Sequence, residues 1–261
     1  MNLSLKNKNA VICGSTQGIG LATAIILASL GANCTLIARN EEALQLALNK
    51  LSTDDGQQHS YFTADFSDTE AVKKAIEKIV SERMIEILVN NSGGPKPGPI
   101  TEATTSDFHA AFSQHLLCNQ ILVTAVLQGM KNAGYGRIIN IVSTSVKTPL
   151  ANLGVSNTIR AAVASWAKTL SNEVGKYQIT VNNVLPGLTN TSRYTSLVAA
   201  TSEKKNMSKE AVEQDLISTI PMGRIGEAEE IGNMIGFLAS PAAAYVTGTS
   251  IPVDGGKTPS V

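Results

Sequence analysis

The segment Gly14-Ser15-Thr16-Gln17-Gly18-Ile19-Gly20 follows the aliphatic run Asn9–Cys13 and opens a stretch of helical period. Three glycines at that spacing suit a phosphate. Glycine permits backbone angles and a close approach that a Cβ forbids. The first turn of the helix then offers unpaired N–H groups and partial positive charge to a pyrophosphate. A glycine triplet alone says little, but between a strand and a helix it marks a dinucleotide site. Cofactor choice is read at the end of the second strand, where a carboxylate would accept from the 2′-hydroxyl of NAD. Here the chain has Ala38-Arg39-Asn40, with no acid before Glu41. Arg39 presents a planar fork of donors to a 2′-phosphate, which favours NADP (NADPH) over NAD. A solvated arginine at a strand end is the plainer alternative. Asp65, after the third strand, is placed either to hold the adenine amino group or to close a turn.

These residues need a frame that gathers strand ends. Short aliphatic runs at 9–13, 33–38, 59–64, 86–90, 136–142, 179–184 and 249–253 read as strands. Segments of helical period at 18–30, 41–51, 68–82, 105–132, 155–174 and 228–239 read as helices between them. Ser67 with Glu70 suggests a capping box for the third helix, and Gly31 a left-handed stop for the first. Alternation of this kind implies an α/β fold, a Rossmann-type doubly wound parallel sheet of about seven strands with helices on both faces, in a single domain. The stretch 188–226 breaks the alternation with a polar, lysine-rich run, Ser202 to Glu210. It is expected to form a lid over the strand ends, where ligands of such sheets sit.

Composition narrows the class. Apolar residues make up 43% of the 261 residues and charged residues 16%, enough for a large aliphatic core under a modest polar coat. The net charge of zero gives nucleic acid or an anionic membrane nothing to attract. Cys13, Cys34 and Cys118 lack metal-ligand spacing and read as buried thiols in a reducing compartment. No run resembles a signal peptide, and no uninterrupted apolar segment approaches the roughly 18 residues of a membrane span, so a cytoplasmic protein is expected.

By these features the chain resembles the short-chain dehydrogenase/reductase family from end to end. The resemblance rests on the Gly14–Gly20 loop, Asn90-Asn91-Ser92-Gly93, Gly136-Arg137-Ile138-Ile139-Asn140-Ile141-Val142-Ser143 and Pro186-Gly187. It extends to Pro221-Met222-Gly223-Arg224-Ile225-Gly226 and Val253-Asp254-Gly255-Gly256, and within the family is strongest to 3-oxoacyl-carrier-protein reductases. It implies that Asn91, Ser92, Gly93, Pro186, Gly187, Thr189 and Thr191 line the cofactor beside the glycine loop. It also implies that Ser143 is the serine that polarises a substrate carbonyl. Thirteen residues on, where the family has its proton-donating tyrosine, stands Ser156; four beyond that, in place of the lysine, stands Arg160. Counting back from Val123-Thr124, the asparagine that anchors a relay water falls on Leu116. A branch of reductase-like sequences shares Ser156-Asn157-Thr158-Ile159-Arg160, Asn90-Asn91-Ser92-Gly93-Gly94-Pro95 and Ser145-Val146-Lys147.

The substitutions change the available chemistry. A phenol of pKa about 10 can be tuned toward neutrality beside a cation, whereas the alkanol of Ser156 is far too weak an acid. Arg160 still supplies charge and hydrogen bonds to a ribose but cannot exchange a proton. Lys147 would serve as a general acid if a dry cleft beside Arg160 lowered its pKa; an exposed surface lysine is the plainer reading. Tyr194 on the lid is a second candidate, and packing is its alternative role. His115 is expected on a helix face at a subunit contact. Three readings result: an NADP(H)-dependent reductase of a small-molecule carbonyl or alcohol, a catalytically silent dinucleotide-binding sensor or scaffold, and a purely structural subunit of a hetero-oligomer, against which the intact glycine loop argues. In the family, helices 105–132 and 155–174 pair subunits, and the small residues Ala161, Ala162 and Ala164 would allow close packing in a homo-oligomer, a tetramer or dimer.

Overall fold

Successive side chains of a strand face opposite ways, and here both alternating sets are apolar, so each strand must be covered on both faces. In β1 (Asn9–Cys13), Ala10 and Ile12 enter one core while Val11 and Cys13 enter another, and all four are sealed from solvent. The computed structural model, which describes residues 1–260, satisfies this with one parallel sheet. Its further strands are β2 (Asn33–Ala38), β3 (Ser60–Thr63), β4 (Ile87–Asn90), β5 (Gly136–Ile141) and β6 (Ile179–Pro186). The two-residue strands β7 (Thr189–Asn190) and β8 (Gly226–Glu227) pair with each other outside it, and β9 (Ser250–Val253) completes it. The order is β3-β2-β1-β4-β5-β6-β9, so the winding reverses between β1 and β4. A ligand crevice opens at such a switch point, beyond the carboxyl ends of the strands.

Helices α1 (Gly18–Ser29), α2 (Glu41–Leu48) and α9 (Ala228–Ala239) supply the first core. Helices α3 (Thr69–Glu82), α5 (Cys118–Ala133) and α6 (Gly154–Val174) supply the second. All three cysteines are free and buried. Burial pushes the Cys118 thiol up to about 11 and raises Cys13 and Cys34 further, so none is a thiolate at neutral pH. Gly31, at φ +99°, closes α1 as expected.

Two expectations need correction. The helix 105–132 is not one regular helix: α4 (Thr105–Phe112) runs into a π turn at Ser113–Leu117, which hands over to α5. That helical stretch holds a window with mean hydropathy 1.3, long and apolar enough by composition to cross a bilayer. Its inner face instead packs Leu122, Val123 and Val126 into the core under the sheet. The cap of α3 is Asp68, not Ser67; the Asp68 carboxylate accepts from the N–H groups of Glu70 and Ala71. The stretch 188–226 is itself structured, carrying α7 (Ser192–Lys205) and α8 (Lys209–Ser218) between β7 and β8. These two helices share a small core of Tyr194, Val198 and Val212.

Candidate active site

The glycine loop lies at the switch point. Gly14 and Gly18 have φ of +57° and +53°, a region that side chains rarely adopt. Gly20 is needed for proximity, because a Cβ there would collide with the Gly14 carbonyl oxygen. The loop is latched from across the crevice by Asn91, just past β4, whose Nδ2 donates to the carbonyls of Cys13 (3.2 Å) and Gly14 (3.1 Å). Thr191 closes it from above, its Cγ2 standing 3.1 Å from where a Gly18 Cβ would be. Thr189 is buried and donates to the Gly187 carbonyl, while the Gly187 N–H bonds Val253. Pro186 ends β6. Ser15 is wholly buried with its Oγ unpartnered, Thr16 and Ile19 are half-buried, and Gln17 is exposed beside Ser192.

At the other end of the crevice, Arg39 is exposed and its Nη1 stands 3.9 Å from Asp65 Oδ2. So open a pair adds little stability, which leaves the guanidinium free to turn to a ligand. The Ser67 N–H, bonded to Asp65, holds that carboxyl below its usual range; Arg39 adds less. Asp65 is thus a turn former in this structure. Asn40 caps α2 by accepting from Ala43 (2.8 Å).

The third wall is buried and polar. An amide ladder crosses four strands: Asn90 donates to Asn140 (2.8 Å), Asn140 to Asn183 (2.9 Å) and Asn183 to Ser250 (3.0 Å). The ladder leaves Asn90 Oδ1 unpartnered beside a small cavity that Ser92, His115, Asn119 and Arg160 also line. Arg160 is 9% exposed; its Nη1 donates to the Ile141 carbonyl (3.0 Å) and its Nε has no partner. Burial, then the charge of Arg193, pulls its pKa down to about 10, so it remains a cation at neutral pH. His115 is 2% exposed, with Nδ1 2.8 Å from Ser92 Oγ and Nε2 unpartnered. It faces this cavity rather than a subunit contact, whereas Leu116 packs with Val142, Val146 and Val163. The inward position of the helix is therefore His115, not Leu116. Ser143 caps a short 3-10 turn, its Oγ accepting from the Ser145 N–H (3.1 Å). Ser156 is buried in the first turn of α6. Lys147 is exposed at the end of the turn that Ser143 begins, not in a dry cleft beside Arg160.

Burial, followed by the charges of Arg160 and Arg193, drives the His115 pKa down to about 3. An unfolded histidine titrates near 6.5. The stability that the neutral imidazole contributes is therefore complete above about pH 6.5 and is lost as pH falls toward 3. At pH 4.5 the loss is expected to reach on the order of 2 kcal/mol. Urea denaturation of wild type and His115→Gln at pH 7 and 4.5 checks this: the variant should lose less stability on acidification.

Comparison with known proteins agrees with this arrangement. The family model described as enoyl-(acyl carrier protein) reductase matches residues 14–258. The chain belongs to the short-chain dehydrogenase/reductase family. It is 31% identical over 259 residues to the NADPH-dependent reductase BacG of Bacillus subtilis, covering 98% of this chain and all of that protein. It is 34% identical to the 3-oxoacyl-[acyl-carrier-protein] reductase FabG of Pseudomonas aeruginosa, covering 97% of this chain and 98% of that one. The crystal structure of L-sorbose reductase from Gluconobacter frateurii, complexed with NADPH and L-sorbose, superposes with a TM-score of 0.94 at 30% identity over the whole of both chains.

Within this short-chain dehydrogenase/reductase fold, the glycine loop, Asn91, Ser92, Thr189 and Thr191 converge on the crevice, and Gly93 is tied to the π turn by Gln114 (3.0 Å). Sequence reading missed the amide ladder and the inward His115. The ladder had a signal, since Asn140 and Asn183 interrupt aliphatic strands at positions that the register places side by side.

Proposed function

We propose that this protein is an NADPH-dependent reductase of a small carbonyl compound, working with an atypical set of catalytic groups. The observation that carries the reading is a phosphate cradle kept open by Gly14, Gly18 and Gly20, with Arg39 and no strand-end acid beside it. NADPH, when bound, supplies the hydride. The loop and the α1 N-terminus would hold the diphosphate and Arg39 the 2′-phosphate. Asn91 holds the loop closed; Ser92, Gly93, Thr189 and Thr191 would line the nucleotide. Ser143 would donate a hydrogen bond to the substrate carbonyl, and Arg160 would bring positive charge and ribose contacts. Ser156 is too weak an acid to complete the reduction. Lys147, on the turn that Ser143 begins, would deliver the proton once the 188–226 segment covers it as a lid. The outward faces of α5 and α6, where Ala161 is exposed, would pair subunits in a cytoplasmic homo-oligomer, a tetramer or dimer.

A second reading is a silent dinucleotide sensor or scaffold. It is favoured by the exposure of Lys147 and by the placement of Tyr194, which is buried in the insertion and held as a neutral phenol by burial and Glu213. Turnover that vanishes in Ser143→Ala would end that reading.

Calorimetric titration with NADPH and NADH tests the cofactor site. NADPH is expected to bind and NADH to bind weakly. Arg39→Leu should weaken NADPH about 10- to 100-fold and leave NADH unchanged, as befits one charge-assisted phosphate contact. No binding of either nucleotide would sink both readings.

A further inference from the structure

The insertion brings a second arginine over the cleft. Arg193, in the first turn of α7, folds its guanidinium onto Gly94, where a Cβ would collide with Nη1. That loop is anchored on both sides. Gln114 bonds the Gly93 carbonyl (3.0 Å), and the Gly98 N–H bonds the Asn152 carbonyl (2.7 Å) ahead of α6. Arg193 is close enough to Arg160 and His115 for its charge to depress the pKa of each. Lys96 on the same loop and Lys147 after β5 are exposed.

Among the described residues no carboxylate forms an ion pair with Arg160, Arg193, Lys96 or Lys147. Asp107, whose carboxyl is held low by its capping box and by Lys96, accepts at Oδ2 from the Thr104 N–H (2.9 Å) and Oγ (2.7 Å) and offsets part of the Lys96 charge, but no carboxylate acts on Arg160. Glu213 on α8 acts on Tyr194. Arg160 is nine-tenths buried, and its Nε lacks any partner. Arg160 and Arg193, close enough to feel each other and without a carboxylate paired to either among the described residues, focus a positive field that attracts an anion. The cofactor diphosphate already has a cradle in the glycine loop and the α1 N-terminus.

We propose that the substrate is a small oxo acid, and that Arg193 grips its carboxylate at the cleft mouth, with Lys96 and Lys147 steering it and Arg160 behind. This rests on the reductase reading for the carbonyl half of the ligand. Arg193 is thereby a specificity-determining residue, and Gly94 leaves the space that its guanidinium occupies.

The test is calorimetry on the protein saturated with NADP⁺, which cannot reduce the ligand, with pyruvate, acetoacetate and levulinate, each against its carboxamide. At least one oxo acid should bind about tenfold or more tightly than its amide, with the difference shrinking at high salt. Arg193→Leu should lower oxo-acid affinity about tenfold or more and leave NADPH affinity within about twofold. Gly94→Ala should reproduce that loss by displacing the guanidinium, and Lys204→Leu, at the far end of α7, should change neither affinity. Acids and amides binding alike, or no oxo acid binding, would overturn the proposal. So would an Arg193→Leu protein that weakens NADPH instead, since the arginine would then serve the cofactor diphosphate. Failure of NADPH itself to bind would count against the reductase reading alone. The same acid-amide contrast on the cofactor-free protein would then judge the anion site.

Discussion

Alanine in place of Gly20 is expected to abolish detectable NADPH binding, a loss of about 100-fold or more in affinity, in a protein that still folds. The added Cβ would overlap the Gly14 carbonyl oxygen and stand 2.8 Å from Asn91 Nδ2. Neither neighbour can yield alone. The Gly14 carbonyl is held by that same Asn91 amide, and the Gly14 N–H bonds the Ile37 carbonyl of β2 (2.8 Å). Helix α1 cannot retreat, because Thr23, Ala24, Leu27 and Ala28 are fully buried behind it. The loop must therefore open, breaking the latch and the concavity together, at about 1–3 kcal/mol of stability. Gly18→Ala makes the useful contrast. Its Cβ would meet only a threonine methyl at 3.1 Å, so the penalty is mainly the left-handed backbone, about 1–2 kcal/mol. Calorimetry for binding and thermal melts for folding check both. Wild-type affinity in Gly20→Ala would remove the loop as the nucleotide cradle.

The parts of the fold that were legible in the sequence are those where one physical signal acts alone. Buried parallel strands must be aliphatic on both faces, so β1, β2, β5 and β6 stand out, and a glycine loop after β1 locates the crevice. What was not legible depended on competition or on three-dimensional register. Ser67 and Asp68 are both good caps, and a one-residue choice between them is decided by backbone geometry at the turn. The π turn at Ser113–Leu117 winds one wider loop into an otherwise regular helix, so helical period alone does not say which of its residues faces the cavity. Leu116 was matched by counting back from Val123-Thr124, and that count carries no information on which side chain faces the cavity, where His115 stands. The amide ladder needs the pairing of Asn90 with Asn140 and of Asn140 with Asn183, which strand boundaries alone do not give. The burial of Arg160 was hidden for a related reason, since its helix position is evident but the carbonyl that receives it, on Ile141, belongs to another element.

That burial sets stability against function. Arg160→Met is expected to stabilise the nucleotide-free protein by about 1–2 kcal/mol, because a nearly isosteric apolar side chain removes an uncompensated interior charge. The folded state already resists that charge: burial pulls the guanidinium down to about 10, Arg193 adds to the effect, and Nε has no acceptor. Against this stands one hydrogen bond, from Nη1 to the Ile141 carbonyl, whose net contribution is about 1.5–3 kcal/mol for a charged donor; its loss is softened because Ile141 stays paired within the sheet. Methionine also fills the gap between Val163 and the cavity without a new polar atom. The same change should lower any NADPH-dependent turnover by about 100-fold or more, since the buried positive charge that Arg160 brings to the site is gone. Thermal melts and steady-state assays measure the two arms separately. A variant that melts lower than wild type would show Arg160 to be a structural clamp on β5, its hydrogen bond to Ile141 outweighing the cost of burying its charge. A variant that melts higher and is inactive would show that the chain keeps an interior cation, at a cost in stability, for the ligand that completes the site.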